Sequence, residues 1–408
     1  MTCRCSLLLA SLTLALPLAL APAPARACGG MVFPDHGQRQ GGMSDQELLV
    51  AFEAQRTVLV ASAGYEGIDA SDFAFVLPLA QAPTEVLDAD PALLLALDEH
   101  TAPEVAVHLD EGPDRSLGCG AKSGSNDLAG GRGEGGGDVM VQQRGTTATY
   151  EWVVIGGDTG MALADWLGAE GYALPPDYAT ALDPYVTDGW FFFAAKVRPQ
   201  AQDGALVPIE LHLPASTPET FEIPFGLASH SLEPDEALGI TLYLWSDGAV
   251  LPDGRASGRI DPSELVALSD HESNYPELEQ MLLGSDPGGT WIIDYGLPTT
   301  ADELRRAYAE GVDWGRVDPD QSNEAFIGEF FGRLGSSSGH LTRLRTELRA
   351  EQLHDLRLRR STESPGGRFY EVTYDDTAGS ACTVGRGGRI PGAVLLLLPL
   401  VAWLRPRD

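Results

Sequence analysis

Between Ala148 and Val197 two β-rich apolar runs, TYEWVVI and WFFFAAKV, enclose two short helical patterns. Thr149, Trp152, Val153, Val154 and Ile155 are β-branched or aromatic, and the run stops at Gly156 and Gly157, which predicts a buried strand. Asp158 or Thr159 can cap the helix that follows, with Met161, Leu163, Ala164 and Leu167 on its inner side and Trp166 beside them. Gly168 and Gly171 end it, and Pro175-Pro176 turns the chain. Tyr178, Leu182, Tyr185 and Val186 space a second short amphipathic helix. The strand Trp190 to Val197 is apolar without a break from Trp190 to Ala195. On an exposed edge such a run would invite aggregation, so it is expected at the centre of a sheet.

The flanking pattern is also β-rich. LLVAF, RTVLVASAGYEG and DFAFVLPL, with Gly64, Gly67 and Asp69 between them, predict a meander of antiparallel strands. Asp90 caps a helix with Pro91 at its first position and Leu93, Leu94 and Leu97 inward; a strand from Glu104 to Leu109 follows. ALVPIELHLP, TFEIPFGLA and GITLYLW read as strands, in which His212 and His230 are expected to face solvent or a carbonyl. Asn274 to Leu283 and Thr299 to Ala309 read as helices around a short strand, Trp291 to Tyr295. Asp302 and Glu303 suit the N-terminal dipole of the second helix. NEAFIGEFFGRL is helical. His340 to Arg349 is expected to form a short helix with Leu341, Leu344 and Leu348 on one face and Arg343, Arg345 and Arg349 outward. DLRLRRS and RFYEVTY close the pattern as strands near Asp376.

Both ends differ from this body. Residues 1–27 have the form of a signal peptide, with Arg4, an apolar core from Leu7 to Leu20, and Ala25-Arg26-Ala27 as cleavage site. Cleavage there leaves Cys28 first. Arg26 suits a lipoprotein box badly, so ordinary cleavage is expected ahead of acylation. Export permits disulfides, and of the mature cysteines Cys28, Cys119 and Cys382, the pair Cys28–Cys119 is the candidate bond. Residues 117–138 form a Gly-rich insertion too poor in apolar side chains to order itself.

The net charge of −32 offers no basic surface for phosphates, which argues against a nucleic-acid partner. The many Gly (47) and Pro (28) residues suit a loop-rich, strand-rich exported protein.

Few motifs carry chemistry. GCGAKS lacks the glycine that must precede the lysine of a phosphate loop, and the flanking strand and helix are missing. His271-Glu272 opens like a metalloprotease motif, but Tyr275 stands where the second histidine must lie. Asp318, Asp320, Ser322, Glu324 and Glu329 fall at the first, third, fifth, seventh and twelfth places of a calcium loop. Asn323 replaces its turn glycine, so a helix cap at Ser322 is favoured over calcium, and no other cofactor is implied. Gly335-Ser336-Ser337-Ser338-Gly339 spells a nucleophile elbow around Ser337, yet a helix precedes it where a strand is required, and a flexible connector is expected.

The start ACGG, the run DASDFAFVLPLAQAP, the pair ADWLGAEGYALP and LDPYVTDGWFFFAAKV, and HLTRLRTEL together resemble a bacterial family of exported proteins. It is known only as domain of unknown function twenty-three-thirty. The resemblance covers about residues 27–376 and implies architecture and location, with no activity to carry over. After a linker, 377–389, the segment 390–408 holds an apolar run from Ile390 to Leu404, broken by Pro391 and Pro399 and followed by Arg405 and Arg407. Its fifteen residues fall short of the ~20 that span a bilayer as a transmembrane helix. With Cys382 ahead of it, it resembles a myxobacterial-type C-terminal sorting tail. That resemblance implies that a sorting protease acts at Cys382, which becomes the anchoring position; a plain membrane anchor is the alternative.

The expected fold class is α+β, with mainly antiparallel sheets and short interspersed helices, spanning residues 28–376 between the signal peptide and the C-terminal hydrophobic segment. The expected role is that of a non-enzymatic envelope protein, held at the outer surface through its membrane-directed tail and serving binding or structural support for a protein or glycan. A surface hydrolase or a subunit of a membrane-associated complex are the alternatives.

Overall fold

Along Met43–Phe52, Leu48, Val50 and Phe52 alternate with Leu49 and Ala51, and all five are buried. A strand covered on both faces needs a layer on each side, and the whole architecture follows from that requirement. The computed structural model describes residues 30–32, 43–65, 74–109, 139–170, 174, 177–198, 207–232, 236–318, 324–362 and 365–374. The signal segment, the Gly-rich insertion, the tail and all five cysteines lie outside them.

With strands numbered in chain order, the larger sheet has eight, in the order β14 (Ala256–Gly258), β15 (Thr290–Thr300), β16 (Ser338–Arg349), β12 (Ala237–Ser246), β2 (Met43–Phe52), β3 (Arg56–Tyr65), β10 (Ile209–Pro214), β5 (Glu85–Asp88). The second has five, in the order β1 (Gly30–Val32), β4 (Ala74–Leu79), β9 (Phe191–Val197), β8 (Tyr150–Gly157), β7 (Val139–Thr146). The two pack face to face over one core, which joins Leu48, Leu211, Leu242 and Leu344 of the larger sheet to Phe75, Leu77, Val154 and Phe193 of the smaller. Helices α2 (Gly160–Ala169) and α3 (Tyr178–Thr187) cover the outer face of the smaller sheet through Leu163, Trp166 and Tyr178. Helices α1 (Pro91–Thr101), α5 (Ala301–Asp313) and α6 (Ala325–Leu334) cover the other face of the larger one through Leu93, Leu304 and Phe331. The result is four layers, helix–sheet–sheet–helix, of the α+β class. Helix α4 (Tyr275–Leu283) packs beside β18 (Phe369–Tyr374), which pairs with β6 (Glu104–Leu109). A small sheet of β11 (Glu222–Ile223), β17 (Leu356–Arg360) and β13 (Val250–Pro252) completes the strands. Most pairs are antiparallel; β12–β2, β14–β15 and β18–β6 are parallel.

Local signals hold for the helix caps and for the central strand. Asp90 accepts from the Ala92 amide at 2.8 Å, Thr159 from the Ala162 amide at 3.1 Å, and Thr300 and Glu303 form a capping box. The apolar β9 is the middle strand of its sheet. Three expectations are corrected. The third run of the expected meander, β4, leaves β2 and β3 and pairs with β1 and β9 in the other sheet. Met161 points outward, since Leu163, Trp166 and Leu167 already fill the inner side of α2. Residues 340–349 are extended and belong to β16, which sits between β15 and β12 and pairs with both.

Gly160 marks the tightest contact between α2 and α3. Its amide donates to Asp183 at 2.8 Å, and an added Cβ would fall 2.1 Å from the Ala179 carbonyl oxygen. Backbone cannot yield as a side chain can. Gly160→Ala is therefore expected to cost about 2 kcal/mol, overpacking outweighing the helix-propensity gain of alanine. Urea denaturation checks this as a lower midpoint with an unchanged slope.

Candidate functional site

On β16 the alternation sends Leu344 and Leu348 into the core between the sheets, with Thr342 and Thr346 buried on the same side. Leu341, Arg343 and Arg345 therefore face the helices. Arg343 is 4% exposed and its guanidinium lies 5.7 Å from the centre of the Tyr243 ring. Two such side chains survive inside only if carboxylates meet them. Asp294 does so from β15, where the pairing with β16 skips one residue between Ile293 and Tyr295. This bulge aims Asp294, 1% exposed, at both arginines. Asp98 of α1 reaches Arg343 Nη2 at 2.8 Å, and Glu279 of α4 reaches Arg345 at 2.5 Å. Desolvation works to neutralise both guanidiniums, but Tyr243, Asp98 and Asp294 around Arg343, and Asp294 and Glu279 around Arg345, outweigh it and leave both pKa values raised.

Arg343 is not fully satisfied. Its Nη1 has no acceptor among the described residues, and its Nε reaches Asp294 only at 3.4 Å. Arg343 and Arg345 form part of the wall of an open cleft of about 280 Å³ on the helix side of β12 and β16, beside α4. Thr241, Gln280 and Glu347 line it further, and Asp45 completes the rim from β2. Gly239 of β12 makes room for that carboxylate, since a Cβ there would fall 2.1 Å from Asp45 Oδ1. The Nε and Nη1 nitrogens are themselves enclosed by the protein, so the cleft meets other atoms of this charged wall.

A second charged cluster lies on β10. Ile209, Leu211 and Leu213 enter the core between the sheets, so Glu210 and His212, each 1% exposed, turn toward α6. Arg333 forks onto Glu210 at 3.2 and 2.6 Å. His212 Nε2 lies 2.7 Å from Glu210, while Nδ1 faces Glu85 at 3.0 Å and Arg56 at 3.1 Å. Burial works to raise the Glu210 carboxyl, but hydrogen bonds from His212 and Arg333 overcome it and hold the pKa below its ordinary value. The expectation that His212 faces solvent or a carbonyl is corrected: its strand is covered on both sides, and two carboxylates receive the ring. Every charge here meets a partner, so this cluster pins β10 to α6 and β5.

The other candidates do not come together. Cys28, Cys119 and Cys382 lie outside the described residues, as do Asp320 and Ser322. Of the remaining calcium-loop positions, Asp318 follows α5, Glu324 caps α6 without a side-chain hydrogen bond, and Glu329 lies within α6. Among the described residues no group of three or more His, Cys, Asp or Glu side chains is disposed to hold a metal ion. Glu85 and Glu210 meet opposite nitrogens of His212 and so do not converge on one point. Ser337 is exposed where α6 passes into β16, the reverse of the strand-to-helix order an elbow requires. The connector is held in place: Gly335 ends α6 with φ 88°, Ser336 donates to Glu53, and the Ser337 carbonyl accepts from the Ala301 amide at 3.0 Å.

Among the described residues no helix is long and apolar enough to cross a membrane. A family model described as an uncharacterized protein conserved in bacteria matches residues 22–243, more than half of the chain. No curated protein and no solved structure matches it.

Proposed function

The chain belongs to the DUF2330 family of uncharacterized proteins conserved in bacteria, and from that premise we propose that it is an exported, surface-tethered binding protein whose ligand enters the cleft beside Arg343. The observation that carries this reading is the open polar cleft of about 280 Å³ whose wall holds Arg343 and Arg345. Export rests on the signal-like residues 1–27, and tethering on Cys382 with the apolar, arginine-ended segment 390–408, processed as in a sorting tail. A Cys28–Cys119 bond suits that compartment.

The competing hydrolase reading depends on Ser337, whose helix-to-strand setting gives it neither the sharp turn nor the oriented base of a nucleophile. Membership of a membrane complex is distinguished by what travels with the protein. Purification from native membranes followed by intact-mass analysis is the test. The expected species begins at Cys28, lacks the segment beyond Cys382 and carries an anchoring adduct. A chain of all 408 residues recovered from the cytosol, or fluorophosphonate labelling lost on Ser337→Ala, would overturn the proposal.

A further inference from the structure

The charged cluster on β10 borders a second opening, away from Arg343. On β10, His212 stands opposite Glu85 of the edge strand β5, and Pro214 stands opposite Arg56 at the start of β3. Arg56 is thus the diagonal neighbour of His212 on the helix-facing side, within reach of a long side chain. Nη1 of Arg56 donates to His212 Nδ1 at 3.1 Å, and Glu85 approaches the same nitrogen at 3.0 Å. These three side chains, with Gln55 and Thr84, wall an open cleft of about 350 Å³ at this corner of the larger sheet. Arg333, Arg343 and Arg345 each meet a carboxylate, whereas Arg56 meets none among the described residues. Its Nε and Nη2, which share one edge of the guanidinium, make no hydrogen bond to a described residue. Arg56 is only half-buried, and both nitrogens keep contact with solvent. The same edge of Arg333 shows what it can hold, since there Nε and Nη2 fork onto the Glu210 carboxylate at 3.2 and 2.6 Å.

The nearby charges narrow the class of ligand. Glu85 already faces His212, and Glu53, on the turn before β3, accepts from Ser336. A chain of net charge −32 repels a dianion more than a monoanion, so a carboxylate suits the free edge better than a phosphate. Gln55 and Thr84 are exposed. The Thr84 hydroxyl donates to the His212 carbonyl at 3.1 Å and keeps its lone pairs for an incoming O–H. The cleft volume stands near the lower end of ligand pockets, which run from about 300 Å³ upward. We infer that this cleft is a second binding site, and that it takes a small hydroxylated carboxylate. The carboxylate rests on the Nε–Nη2 edge of Arg56, and the hydroxyls turn to Gln55 and Thr84.

Titrating the mature protein with gluconate, glucose and inorganic phosphate at low ionic strength tests the assignment, read by calorimetry and by the Arg56 Nε–H resonance in nitrogen-resolved NMR. Gluconate is expected to bind at least tenfold more tightly than glucose or phosphate and to shift that resonance. Arg56→Lys keeps the charge but loses the fork, and is expected to weaken gluconate at least tenfold. Thermal melting followed in parallel separates a lost contact from a lost fold. Gln55→Ala, an exposed change, is expected to weaken gluconate several-fold with melting unchanged. Phosphate binding as tightly as gluconate would overturn the carboxylate assignment. Gluconate binding that ignores Arg56→Lys, or no saturable binding up to about 10 mM, would overturn the site itself.

Discussion

Replacing Asp294 with asparagine is expected to lower the unfolding free energy by about 3–5 kcal/mol, the range for removing one partner of a buried ion pair. The two side chains have nearly the same volume, so the packing of β15 is preserved and the charge alone is tested. Arg345 keeps Glu279 and is a quarter exposed, whereas Arg343 keeps only Asp98 and lies deeper. The loss therefore falls mainly on Arg343. Replacing Asp294 and Arg343 together by leucine and methionine removes both desolvated charges at once and is expected to recover most of the loss. Urea denaturation of the single and double variants decides the matter. A cost below about 1 kcal/mol for Asp294→Asn would mean that water reaches the pair, as in a surface salt bridge.

The second large effect belongs to Glu210. Glu210→Gln keeps the shape but weakens the Arg333 fork and the hydrogen bond of His212, at a cost of about 3 kcal/mol near neutral pH. Its pH dependence has a definite sign. Because the folded carboxyl titrates below its ordinary value, its stabilisation is present above the unfolded pKa, about 4.3, and is lost as pH falls through the folded value. The gap between wild type and variant should hold steady from pH 7 to about 5 and narrow below the unfolded value. A gap that widened on acidification would place the stabilising proton on the wrong side of the equilibrium.

Much of the scaffold was legible because its signals are local. Asp90-Pro91 starts α1, Thr300 with Glu303 starts α5, and the unbroken apolar β9 lies at a sheet centre. Partner choice was not legible, and β4 shows why: its residues alternate as a strand should, but whether it joins β3 or β9 is settled by chain far away. The arginine centre was hidden for a related reason. Leu341, Leu344 and Leu348 fit a helical spacing, and arginines between them read naturally as a solvated face. In the strand, Leu341 and Leu344 point to opposite sides, and Arg343 and Arg345 turn inward because Asp294 and Asp98 wait for them. The local traces of this were charged residues inside apolar runs, Asp294 in WIIDY and the pair Glu210 and His212 in IELHL. A bulge that re-aims one carboxylate leaves no pattern of its own.

The site exists only if Arg343 is held inside the protein, facing the helices from a strand. Solvent exchange of its side-chain Nε–H, followed by nitrogen-resolved NMR and assigned through Arg343→Lys, tests this most directly. A protected resonance that persists while the exposed arginines exchange away is expected. Exchange as fast as that of free arginine would return Arg343 to an outward surface and remove the site with it.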